Sequence, residues 1–166
     1  MSLTIPVLLA QVFLRFWTPD LLTPTQEVVL MAVYKGINPH VALAVAQTET
    51  GDLPEDGGRR DRVIAQGNHG RFQVNCTTWQ RPLGLDSCDP LLDRHTNIWA
   101  GLTILSHVAA NHRARPAGPH RWVAHYNEGV VVQKGGRGER YARRVGFHVR
   151  RWQKASRAAF APVLGW

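Results

Sequence analysis

The chain has 166 residues, 44% of them hydrophobic, and a formal net charge of +8. That length suits one domain able to bury a core without metals or many cross-links, and the apolar content excludes wholesale disorder. No apolar run reaches the roughly 20 residues that cross a bilayer as a helix, so no transmembrane segment is expected. The arginine-rich charge implies attraction to a polyanion through long-range steering. Nucleic acid and an acidic cell wall fit that charge equally.

Met1 to Trp17 is apolar, but it lacks the basic start and small-residue cleavage site of a secretory signal, and Arg15 interrupts it. It reads as a first core helix, with no clear signal peptide. Thr23-Pro24-Thr25-Gln26 then carries the marks of a capped helix start: threonine at the N-cap, proline in the first turn and glutamine three residues on. Val28, Val29, Ala32 and Val33 supply helical periodicity, and Gly36 ends it. Asn38-Pro39 opens a second helix by the same logic, running to about Thr50 before Gly51.

Residues 52–69 are polar and glycine-rich and read as a loop, with Asp52, Glu55, Asp56 and Asp61 as solvated charges. Phe72-Gln73-Val74 fits either a strand or a turn. Cys76 and Cys88 have eleven residues between them, which is no zinc-knuckle spacing. They are either a disulfide, worth roughly 3 kcal/mol by chain entropy, or two free thiols. Ile98, Leu102, Leu105 and Val108 predict a long buried helix from Asp93 to Asn111. Pro116 and Pro119 precede a short helix containing Trp122, Val123 and Tyr126. Gly135-Gly136-Arg137-Gly138 reads as a loop, and a final arginine-rich helix begins near Glu139.

Within this mainly α, single-domain pattern one acid stands apart. Glu49 shares a helix face with Ala46, Val45 and Ala42, and that face is apolar. It also sits in the last turn, near the negative end of the helix dipole. Both effects disfavour ionisation and raise the pKa. A carboxylic acid that stays protonated near neutral pH is what protonating a glycosidic oxygen requires. The plainer alternative is a surface glutamate at a fraying helix end.

Three further islands follow: Gly70-Arg71-Phe72-Gln73-Val74-Asn75, then Asn97-Ile98 with Gly101 and Leu105, then Ala124-His125-Tyr126-Asn127-Glu128-Gly129. Each alone has a structural explanation. Gln73 satisfies backbone groups in a turn, Asn97 bridges helices, Gly101 permits close packing, and Tyr126-Asn127 ends a helix. In this order, after a helix ending Glu49-Thr50-Gly51 and before Tyr141 and Val145, they resemble the lysozyme-like lytic transglycosylases, a family related to goose-type lysozymes. The likeness covers about residues 38–146 and is nearest to small secretion-system and phage-associated members.

The resemblance implies a lysozyme-like domain with a substrate cleft, acting on peptidoglycan glycan strands in the periplasm, outside the cell or from a virion. It implies Glu49 as general acid and then base. Gln73 would bind substrate or fix the surroundings of Glu49. Tyr126 and Asn127 would line the cleft, and Tyr141 would lie against Glu49. Asn97 and Gly101 would be structural. Cleavage between N-acetylmuramic acid and N-acetylglucosamine would leave 1,6-anhydro ends. Arg71, His125 and Glu128 depart from the family pattern.

Other classes remain. A hydrolytic muramidase needs a second carboxylate, for which Asp52, Glu55, Asp56, Asp61 and Glu128 are the candidates. A wall-binding module without turnover would keep the same fold. The cluster Arg137, Arg140, Arg143, Arg144, Arg150 and Arg151 with Trp152 would suit a nucleic-acid binder. It carries no recognisable motif of that kind, however, so a solvated basic face is expected first and attraction to the wall next, and nucleic acid is not. The eight histidines are scattered, so neither a metal nor a cofactor is expected. A monomer suffices for all of this.

Overall fold

In the computed structural model, residues 22–51, 58–112, 121–129 and 132–164 are described, with side chains of the last helix given as far as Arg157. The expected helix at Met1 to Trp17 and the punctuation at Pro116 and Pro119 lie outside the described residues, as do Asp52, Glu55 and Asp56. The architecture is mainly helical. Helix α1 spans Pro24–Tyr34 and α2 Pro39–Thr50. A short antiparallel sheet follows, with β1 Ile64–Ala65, β2 Asn68–His69 and β3 Val74–Asn75 in that order. Then come α3 Cys76–Trp79, α4 Arg94–His112, α5 Ala124–Glu128 and α6 Arg137–Leu164. Helix α2 is the hub, packed against both α1 and α6, and seven of its residues are buried from Val41 to Gln47.

The helix starts follow their capping chemistry. Thr23 Oγ1 accepts from Gln26 N at 3.3 Å while Thr23 N donates back to Gln26 Oε1 at 2.9 Å, a complete capping box. Asn38 Oδ1 accepts from His40 N at 2.9 Å. Asp93 Oδ1 takes the Thr96 amide at 2.8 Å, and α4 then runs one residue beyond its expected end.

Three departures from expectation have physical causes. Residues 58–69 are not one loop: a 3-10 turn spans Arg59–Arg62 and a hairpin follows. Gln66 and Gly67, both at positive φ (53° and 77°), form its two-residue turn. Strands two residues long carry no readable alternation, so the pattern hid them. Asp61 is also no solvated charge. It is 4% exposed and holds the wholly buried Arg71 through Nε–Oδ1 at 2.7 Å and Nη2–Oδ2 at 3.3 Å. The arginine that looked out of place in its turn is thus the partner of an acid ten residues earlier. Finally, α6 begins at Arg137 rather than Glu139, because Glu128 Oε2 accepts the Gly138 amide at 2.9 Å and anchors the first turn.

Cys76 and Cys88 are joined as a disulfide, their Cα atoms 5.7 Å apart. It ties the start of α3 to the 3-10 turn Asp89–Leu92. A second buried ionic group sits between α1 and α4, where Glu27, 0% exposed, meets Arg94 at 2.9 Å and His95 at 2.5 Å. No described helix is long and apolar enough to cross a membrane.

Replacing Asp61 by asparagine leaves the Arg71 cation buried without its carboxylate. It is expected to lower the unfolding free energy by about 3–5 kcal/mol, read as a shift of the urea midpoint.

Candidate active site

The centre of the site is the last turn of α2. Ala42, Val45 and Ala46 are 0% exposed, and Glu49 extends their stripe to the edge of the core. Its carboxyl is partly buried, and burial pushes its pKa from 4.5 to about 7. Two groups on α6 act weakly the other way: the Tyr141 hydroxyl beside the carboxyl, and the charge of the exposed Arg144 one turn further on. Tyr141 is itself 1% exposed, and its hydroxyl has no regular hydrogen-bond partner among the described residues. Burial and the nearby carboxyl raise the pKa values of Tyr141 and Tyr126 alike, so both hydroxyls keep their protons.

What fixes Glu49 against α6 is a set of side-chain contacts along the α2–α6 seam. Trp152 Nε1 donates to Gln47 Oε1 at 3.0 Å, and His40 Nε2 lies 3.0 Å from Ser156 Oγ. Val145 and Val149 fill the space between. On the other side, Thr50 Oγ1 donates to Ala46 O at 3.1 Å and lies 3.3 Å from Arg71 O, which holds the end of α2 to the turn before β3.

That turn carries Gln73. Asn97, 0% exposed on α4, accepts the Phe72 amide at 2.8 Å and donates to the carbonyls of His69 and Leu91, each at 2.8 Å. Gly70, at φ +67°, lies so close that a Cβ there would meet Asn97 Nδ2 at 2.3 Å. A Cβ at Gly101 would likewise strike Phe72 at 2.3 Å. Gln73 adopts φ +47°, unusual for a side-chain-bearing residue, and its Nε2 donates to Gly70 O at 2.7 Å. Tyr126 Oη donates to Phe72 O at 2.8 Å, which fastens α5 to the same turn.

These elements enclose an open pocket of about 630 Å³. Glu49, Gln73, Tyr126 and Asn127 all line it, and Tyr141 lies against Glu49 just behind the wall. The five residues singled out in the sequence therefore converge on one place. Asn127 Oδ1 is buried, with no hydrogen-bond partner among the described residues. Further wall residues to which the sequence assigned no site role are Asn75, Thr78 and Trp79 near the disulfide, and Gln66 and Asn68 from the hairpin. Asn75 and Trp79 belong to the stretch that carries the family resemblance but had no site role assigned; Gln66, Asn68 and Thr78 had no sequence signal. Glu128 lines the pocket too, with its carboxylate turned to the α6 amide of Gly138. His125 bonds Gly129 O through Nδ1 at 2.7 Å and stacks on His112 with ring centroids 3.7 Å apart.

Comparisons of the chain with protein-family models, curated proteins and solved structures find no match. No family is thereby shown. The pocket must be interpreted from its own chemistry: a proton donor poised near neutral pH, two neutral phenols beside it, and an amide-rich wall. No group of three or more metal-ligating side chains occurs among the described residues.

A carboxyl whose pKa rises on folding holds its proton more tightly in the native state. Its contribution favours folding below its unfolded value of 4.5 and is lost as the pH rises through about 7. Above that, ionised Glu49 is a cost that glutamine does not carry. Glu49→Gln is expected to become more stable than wild type by about 2–3 kcal/mol between about pH 5 and about pH 9, measured by urea unfolding across that range.

Proposed function

We propose that this chain is a peptidoglycan lytic transglycosylase on a lysozyme-like fold, using Glu49 as its one essential acid. The observation that carries the reading is a carboxyl with a pKa of about 7 at the wall of a polar pocket, beside Gln73, Tyr126 and Asn127. The motifs from Glu49-Thr50-Gly51 to Tyr141 support it, since Glu49, Gln73, Tyr126 and Asn127, to which the resemblance assigns site roles, all line the pocket. The pocket also falls within the size range of ordinary ligand sites, about 300–1,000 Å³.

In the proposed reaction the neutral Glu49 carboxyl donates its proton to the oxygen linking N-acetylmuramic acid to N-acetylglucosamine. The C1–O bond breaks, and the substrate's own acetamido group supports the positive charge developing at C1. Glu49, now ionised, takes the proton from the C6 hydroxyl of the same sugar, whose oxygen closes on C1. The product is a 1,6-anhydro ring, no water is consumed, and Glu49 is again protonated. Tyr141 and Tyr126 stay neutral throughout and keep the carboxyl in a poorly solvated corner. Asn127, which lines the pocket and whose buried acceptor has no partner among the described residues, is the residue we assign to a sugar N–H or O–H.

The strained Gln73 backbone fits the same reading. A left-handed non-glycine residue costs about 1–2 kcal/mol, and here that conformation is held at a residue that lines the pocket. The chain would then act in the wall itself, in the periplasm, outside the cell or from a virion.

A hydrolytic muramidase is the second reading, favoured by one observation: Glu128 shares the pocket with Glu49. Its carboxylate is engaged at the α6 N-terminus, and so we place the single-acid route first.

Two experiments test the proposal. With purified sacculi, Glu49→Gln is expected to lose at least about a thousandfold in muropeptide release, the scale on which general acid catalysis contributes; a variant close to wild type defeats it. Mass spectrometry of the wild-type products is expected to show ends one water lighter than reducing sugars, whereas reducing ends alone would establish the hydrolytic reading.

A further inference from the structure

Helix α6 has two faces, and the pocket accounts for one of them. Tyr141, Val145 and Val149 are buried against the body of the protein, with Trp152 bonded to Gln47. On the opposite face, Arg140, Arg143, Arg144, Arg150, Arg151, Lys154 and Arg157 are all exposed. At 100° per residue these cations fall within an arc of about 140° and extend about 26 Å along the helix. From Arg140 to the C-terminus the sequence has no Asp or Glu. At the middle of the stripe is Phe147, 52% exposed, with the Arg151 guanidinium 5.9 Å from its ring centre.

Helix propensity does not require seven cations on one face. Like charges at i, i+3 and i+4 repel, each pair costing a few tenths of a kcal/mol. Nor does the interior need Phe147, which could be polar at no cost to packing. An extended row of cations around a projecting aromatic ring matches a flat anionic surface with an apolar layer beneath it.

We propose that the solvent face of α6 is a docking surface for a bilayer of anionic phospholipid. The arginines and Lys154 meet the phosphate headgroups, and the Phe147 ring enters the interface. A soluble polyanion such as duplex DNA satisfies the charges but leaves the ring with nothing to do, which is why the bilayer is the favoured partner. Arg144, at one edge of the stripe, is close enough for its charge to act on Glu49, so docking would set the pocket near the membrane surface. The proposal stands whatever the pocket accepts.

The test is co-sedimentation of the full chain with vesicles of mixed phosphatidylglycerol and phosphatidylcholine, against phosphatidylcholine alone, at low and high salt. Binding is expected with the anionic vesicles only, and salt is expected to weaken it. The triple variant Arg143→Gln, Arg150→Gln, Lys154→Gln is expected to lower the partition coefficient on the order of a hundredfold. Phe147→Ala alone should lower it several-fold, with an unchanged thermal midpoint. Equal binding to neutral vesicles, or a triple variant that sediments like wild type, overturns the proposal. So does full retention in Phe147→Ala, or tight binding to duplex DNA with none to the anionic vesicles. If the triple variant does not fold, the salt dependence and the Phe147→Ala result decide the matter.

Discussion

Asn97 makes three backbone hydrogen bonds from one buried amide, and much of the site is suspended from them. It takes the amide of Phe72 and gives its own protons to the carbonyls of His69 and Leu91, so the sheet, the turn before β3 and the segment entering α4 share one anchor. A buried amide can meet that many partners only if backbone comes very close to it, and the absence of a Cβ at Gly70 allows that approach. Gly101 does the same for the Phe72 ring one turn further along α4. Loss of the anchor would leave several buried polar groups unsatisfied at once, each costing about 1–3 kcal/mol. Gln73 owes its position to this clamp, and Tyr126 reaches the same turn through the Phe72 carbonyl.

Burial treats the acids of this protein in different ways. Glu27 is sealed in the core, where burial outweighs its neighbours and raises its pKa, but Arg94 and His95 lie directly on its carboxylate. Asp61 is closed off by Arg71. Glu49 has no cation in direct contact among the described ion pairs; its nearest polar neighbour is a phenol, and it borders a pocket. The first two arrangements hold the fold together. The third leaves a titratable proton at the wall of a pocket, the setting on which the proposed general-acid role rests.

The long helix α6 links the two halves of the functional picture. Its inner face supplies Tyr141 and the seam that holds Glu49, while its outer face carries the row of cations around Phe147. Glu128 starts this helix and also faces the pocket, so the helix N-terminus and the pocket wall are set by one side chain. A change at Glu128 would therefore disturb both.

Much of this could be read from the chain alone wherever the determinant was local. The capping box at Thr23, the Asn38 cap, the period of α4 and the apolar face under Glu49 depend on residues within a turn or two of one another, and each appears in the structure. The convergence of Glu49, Gln73, Tyr126, Asn127 and Tyr141 was implied by the family resemblance that their motifs carry, not by any local pattern. Tertiary structure decided what depends on distant partners. Nothing near Asp61 announces that Arg71 will neutralise it, and two-residue strands are too short to show a period. The pairing of Cys76 with Cys88 follows from how α3 and the turn at Asp89 approach each other. The pKa of Glu49 was foreseen in direction, since local burial gives the sign, but its size needed α6 laid across the carboxyl, and packing between helices some ninety residues apart is set by the whole core rather than by any local run of sequence.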